Sequence, residues 1–208
     1  MSNIKAVVFD IGNVLLEWHP ETFYDAILPP GDRARMFAET GIEAANLAVD
    51  RGAPFRDTIY AEAARHPQWE AALRLWHDRW IDICAPAIAG SAALLRALRA
   101  KGIPVFSLTN FGAETLLLAE ARYPFLTEFD RKFVSAHLGV LKPEPAIYQA
   151  LEDGSGLSGA ELLFTDDKPE NVAAAAARGW RTHLFEHPQG WARRLVAEGL
   201  LTTTEAAI

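Results

Sequence analysis

One cysteine, Cys84, stands among 208 residues, so no disulfide can form within the chain and a bridge-stapled scaffold is excluded. Basic residues are short as well: 20 Lys and Arg face 27 Asp and Glu, a net charge of −7. Such a surface has no general positive field to hold nucleic acid or an anionic lipid, so an anionic substrate needs a metal or a local cation. No apolar run approaches the length of a membrane span; the alanine-rich stretch 172–177 is short and flanked by Glu170, Asn171 and Arg178. The opening residues, MSNIKAVVFD, lack the long apolar core of a signal peptide, and with the lone thiol they point to a reducing cytoplasm. What is present is apolar: 50% of residues are hydrophobic and 23% charged, enough to offset the entropy of ordering the chain. The length suits one domain that carries a sizeable insertion.

The run IKAVVF (4–9) is apolar at nearly every position and ends at Asp10, Gly12 and Asn13, the pattern of a buried parallel strand followed by a tight turn. Similar runs recur at 103–110, 132–136, 161–167 and 181–185. Helical patterns lie between them at Ser91 to Ala100, Ala146 to Leu151 and Asn171 to Arg178, with Gly154 and Gly179 as stops for the last two. Strands alternating with helices predict an α/β fold: a Rossmann-like, five-stranded parallel sheet with helices on both faces. From about Glu17 to Ala89 that rhythm breaks. No strand pattern occurs there, and PETFYDAIL, DRARMFAETG, FRDTIYAEAARH and WEAALRLWHDRWIDIC read as helices, with turns near LPPGD and VDRGAP. We therefore expect a core of residues 1–16 and 90–208 interrupted by a helical cap, 17–89.

Ligands of open parallel sheets bind beyond the carboxyl ends of the strands. The predicted strand ends supply Asp10, then Thr109 and Asn110, then Lys142, then Asp166 with Asp167. Each alone reads equally as a turn, a helix cap or a solvated charge. Together they are more specific, because three gathered carboxylates repel unless a cation sits among them, and an oxygen site suits magnesium.

In that order the segments VVFDIGNVLLEWHP, FSLTNFG, GVLKPEPAIY and LLFTDDKPENVAAAAARGW resemble the four motifs of the haloacid dehalogenase superfamily over the whole chain. The resemblance is to the phosphatase-like subgroup with Gly-Asn in the first motif and a small helical cap between motifs one and two. It implies a magnesium-dependent phosphatase acting on a small phosphorylated metabolite, a sugar phosphate among the candidates. Asp10 would be the nucleophile, forming an aspartyl-phosphate that water then hydrolyses. Magnesium would be held by Asp10, the backbone carbonyl of Gly12 and Asp167, with Asp166 acting through a water and Asn171 orienting the loop. Thr109 and the amide of Asn110 would bind the phosphoryl oxygens, and Lys142 would neutralise charge.

One position departs from the pattern. The family's phosphatases usually carry a second aspartate two residues after the nucleophile, as the general acid and base; here Gly12 stands there. His19 titrates in the right range and lies close to the motif, although it reads equally as a surface turn residue beside Pro20. Arg51, in the turn VDRGAPF, is a candidate cation facing the site. The cap aromatics Trp18, Phe23, Tyr24, Trp69, Trp76 and Trp80 serve either a pocket or the cap's own core. Two other functions stay open: metal-independent dehalogenation of a 2-haloacid, and a regulatory protein that binds a phosphate ligand with little turnover.

Overall fold

A computed structural model describes residues 3–208; Met1 and Ser2, which open the expected core segment, lie outside the described residues. Strand β1 (Ala6–Phe9) is followed by six helices: α1 (Pro20–Asp25), α2 (Asp32–Glu39), α3 (Ile42–Asp50), α4 (Phe55–Ala64), α5 (Glu70–Asp78) and the short α6 (Trp80–Ile83). The chain then alternates: α7 (Ala89–Ala100), β2 (Val105–Thr109), α8 (Ala113–Arg122), β3 (Arg131–Val134), α9 (Ser135–Leu138), α10 (Pro145–Ser155), β4 (Leu162–Asp166), α11 (Pro169–Ala177), β5 (Arg181–Leu184) and α12 (Pro188–Ala197). The sheet is five-stranded and parallel throughout, in the order β3-β2-β1-β4-β5.

Alternation along the central strands builds two cores. Val7 and Phe9 of β1, Val105 and Leu163 face one way, packed with α7, α8 and α12 through Leu94, Leu116 and Trp191. Ala6, Val8, Phe106, Leu108 and Phe164 face the other way, against Tyr148 of α10 and Ala175 of α11. The first core runs without a break into the six helices after β1, through Tyr24, Met36, Phe55, Leu73 and Trp76. The chain leaves and rejoins the sheet at adjacent points: Ile88 N donates to Leu15 O at 2.8 Å and Glu17 N to Pro86 O at 2.9 Å.

Three local expectations need correction. Gly154 does not stop α10, which runs to Ser155 and ends at Gly156, in the left-handed region at φ +72°. Gly154 is small for a different reason: a Cβ there would lie 2.7 Å from the Phe133 ring. The run at 132–136 is a strand only to Val134, and Ser135 opens α9. WEAALRLWHDRWIDIC is two helices rather than one, broken at Arg79.

Candidate active site

Asp10 follows β1 directly at the middle of the sheet, and Asp10 N donates to Thr165 O of β4 at 3.0 Å, which fixes the carboxylate beside the end of that strand. Lys142 reaches the same point from the loop before α10. Its ammonium lies 2.8 Å from Asp10 Oδ1 and 2.6 Å from Asp166 Oδ2, with the side chain only 1% exposed. Asn110, just past β2, holds the Lys142 backbone on both sides: Lys142 N donates to Asn110 Oδ1 at 2.7 Å, and Asn110 Nδ2 donates to Lys142 O at 3.0 Å.

Asp166 is saturated. Lys168 N donates to its Oδ1 at 2.8 Å, Asn171 Nδ2 lies within 3.1 Å of both oxygens, and Lys142 takes Oδ2. Asp167 is less enclosed, and Asn13 Nδ2 donates to its Oδ2 at 3.1 Å. Asn13 adopts φ +53°, a region asparagine tolerates better than most residues, and its Oδ1 accepts from Trp18 N at 2.9 Å. That side chain therefore ties the turn after β1 to the acidic pair after β4.

Carboxylate oxygens of Asp10, Asp166 and Asp167 lie within 4.8 Å of one another. Burial pushes the Asp10 carboxyl up to about 7, against the pull of Lys142 and with a further push from Asp166. Asp167 is raised too, chiefly by burial. Burial also works against the Lys142 ammonium, but Asp10 and Asp166 outweigh it and its pKa is raised. Three acids against one buried cation leave a negative excess, and the oxygen donor set fits a hard divalent ion such as magnesium. Since Asp166 already has its donors, Asp10 and Asp167 are the better direct ligands.

A cavity of about 190 Å³ opens over these groups, and its wall includes Asp10, Gly12, Asn110, Lys142 and Asp167. Thr109, next to Asn110 at the end of β2, is not itself part of that wall; it is 1% exposed, and its Oγ1 has no hydrogen-bond partner among the described residues. A buried hydroxyl left unpaired at this place fits the need of a phosphoryl oxygen for a donor. His19 and Arg51 are not brought to the cavity wall. His19 is half exposed, with Nε2 3.7 Å from Glu17. Arg51 is turned to Glu144, at 2.6 Å, because that carboxylate lies beside the turn it occupies. Of the aromatic residues between β1 and α7, Tyr24 and Trp76 are fully buried core, whereas Trp18 and Trp80 line the cavity.

Of the elements that line the cavity, sequence reasoning missed α3, whose Glu43, Asn46, Leu47 and Asp50 form part of the wall. Their spacing of three, four and seven residues is the signal that could have found it, one mostly polar stripe beside the apolar positions Ile42 and Val49.

Residues 4–179 match the haloacid dehalogenase-like hydrolase family, and the chain belongs to that family. Among relatives, it is 31% identical to the sesquiterpene phosphatase astK of Aspergillus oryzae over 86% of this chain and 88% of the relative. It is 24% identical to a D-ribitol-5-phosphate phosphatase of Bacteroides thetaiotaomicron, over 92% of this chain and 97% of that one. A HAD-family enzyme from Bacteroides thetaiotaomicron superposes with a TM-score of 0.72 at 20% identity, covering 92% of this chain and 98% of the other, which establishes likeness of fold alone.

Proposed function

We propose that this hydrolase is a magnesium-dependent phosphatase that cleaves a small phosphorylated metabolite through an aspartyl-phosphate on Asp10. The observation that carries this reading is a buried carboxylate at the end of the central strand, paired with Lys142, beside two further acids, under one cavity. Asp10, the Gly12 carbonyl and Asp167 would hold magnesium, with Asp166 acting through a water. When bound, the ion would neutralise phosphoryl charge and orient the ester. Ile11 N and the Lys142 ammonium both approach Asp10 at Oδ1, so Oδ2 is the natural attacking oxygen. Lys142, Thr109 Oγ1 and the Asn110 amide then offset the charge carried by the phosphoryl oxygens. We further propose that residues 17–89 act as a cap over a core of residues 1–16 and 90–208, and that the protein works in the cytoplasm. No helix among the described residues is long and apolar enough to cross a membrane.

The relatives act on esters of two kinds, and the wall supports either: Trp18, Leu47, Trp80 and Phe111 offer apolar contact, Asn46 and Asn110 polar contact. A screen holding sugar, polyol and prenyl phosphates, with and without magnesium, tests the reading. Asp167→Ala should raise the magnesium concentration needed for half-maximal activity by tenfold or more, as loss of a direct ligand does. Halide release from chloropropionate without metal, with silence on every phosphate ester, would favour the dehalogenase. Acidic groups crowded at Asp10 speak against that outcome, because they repel a haloacid anion.

Gly12 also has room for the side chain the family usually places there, since a Cβ at that position meets nothing within 4 Å. Gly12→Asp should therefore fold and speed hydrolysis of esters with poor leaving groups. Rates plotted against leaving-group pKa should fall less steeply than in the parent protein.

A further inference from the structure

We propose that Asp50, the last residue of α3, is the acid that protonates the leaving oxygen and then the base that takes a proton from the attacking water. This assignment rests on the phosphatase reading and fills the role that Gly12 cannot. Asp50 shares the cavity wall with Asp10, Lys142 and Asp167, although it comes from the helices inserted after β1. Its position is fixed from several sides. Its carbonyl accepts from the buried Ser135 Oγ at 2.5 Å, and the same hydroxyl accepts from Phe111 N at 2.9 Å, in the loop that follows Thr109 and Asn110. Gly112 in that loop meets the end of α3 so closely that a Cβ would lie 2.7 Å from Val49 Cγ1. On the other side, Gly52 takes φ +107° and a Cβ there would stand 2.8 Å from Ala136 O.

The carboxyl group is oriented as well as placed. Trp76 Nε1 donates to Asn46 Oδ1 at 3.0 Å, and Asn46 Nδ2 donates in turn to Asp50 Oδ2 at 3.1 Å. Because the Trp76 ring is buried, this relay fixes which way the Asn46 amide points. Burial pushes Asp50 up to about 7, while the Gly112 amide and the Lys168 charge pull it back. The other ionisable groups on this side are Glu43, two turns earlier on α3, and Cys84, whose thiol burial pushes up to about 12. A carboxyl poised near neutrality can give a proton and take one back in the same cycle.

In the first step an Asp10 oxygen bonds to phosphorus and the bond from phosphorus to the leaving oxygen breaks. The electron pair stays on that oxygen, which takes the Asp50 proton and departs as the alcohol. In the second, water oxygen bonds to phosphorus as its proton passes to Asp50. The Asp10 bond to phosphorus breaks, returning the Asp10 carboxylate and free phosphate.

The test compares first-turnover release from p-nitrophenyl phosphate and from a simple alkyl phosphate, with magnesium, in the parent protein and in Asp50→Asn. Nitrophenolate needs no proton to leave, so its first-turnover rate should stay near the parent's, whereas alcohol release should fall by about 10²-fold or more. Equal losses on both esters, or no loss on the alkyl ester, overturn the assignment. The parent protein supplies a second test that needs no variant. With each rate taken per ester dianion, its ratio of alkyl to aryl rates should fall as pH rises through about 7, because ionisation of Asp10 affects both esters alike. A flat ratio overturns the role of Asp50 but leaves the phosphatase reading intact. A parent protein that cleaves neither ester, nor any ester in the screen, overturns both.

Discussion

Asp10→Asn is expected to abolish phosphatase turnover, by about 10⁴-fold or more, because one carboxylate is both the nucleophile and a metal ligand. It should not unfold the protein. The folded-state carboxyl sits at about 7 against an ordinary value of 3.8, so the folded state holds a proton that the unfolded state has released across that window. Stability of the metal-free parent therefore declines as pH climbs from about 4 to about 7, and the neutral amide removes that part of the decline. Urea unfolding at pH 5 and pH 8 in chelator should show a smaller difference for Asp10→Asn than for the parent. Some difference should remain, since burial raises Asp50 in the same direction. A fully active Asp10→Asn protein would end the phosphatase proposal.

Lys142→Met should be the most damaging change to stability. Its ammonium is the cation between Asp10 and Asp166, and all three residues are buried. Removing one partner of such a cluster leaves uncompensated buried charge, which costs about 3–5 kcal/mol. The loss should be largest above pH 7 and should shrink on acidification, as the stranded carboxylates take up protons. Magnesium should restore part of it at pH 8. Denaturant midpoints at pH 5 and pH 8, with and without the ion, measure all of this. A midpoint unchanged at pH 8 would mean that Lys142 is not the counter-charge the geometry makes it.

The sheet is legible because its central strands β1, β2 and β4 are buried on both faces and write themselves as nearly unbroken apolar runs ending in polar residues. That pattern alone sets Asp10, Asn110, Lys142, Asp166 and Asp167 at one end of the sheet, and they do converge there. Less was legible where pattern and packing part company. Gly154 looked like a helix stop, yet it is a contact point for Phe133 and the backbone turns two residues later. Helices α8 and α12 went unread, and so did α3, whose short apolar face hides among alanines. Thus the core's share of the wall could be read from strand ends. The share from α3 depends on which way one nine-residue helix faces, and that is settled by distant partners such as Ser135 and Trp76.

The link between Arg51 and Glu144 spans from the turn after α3 to the loop that carries Lys142, and both side chains are more than 40% exposed. An ion pair so open to water contributes little at rest, about 0–1 kcal/mol, and mobile ions weaken it further. It is nonetheless the solvent-facing tie between those two segments. Concentrated salt would loosen that tie while leaving the buried Lys142 cluster, shielded from that atmosphere, as it was.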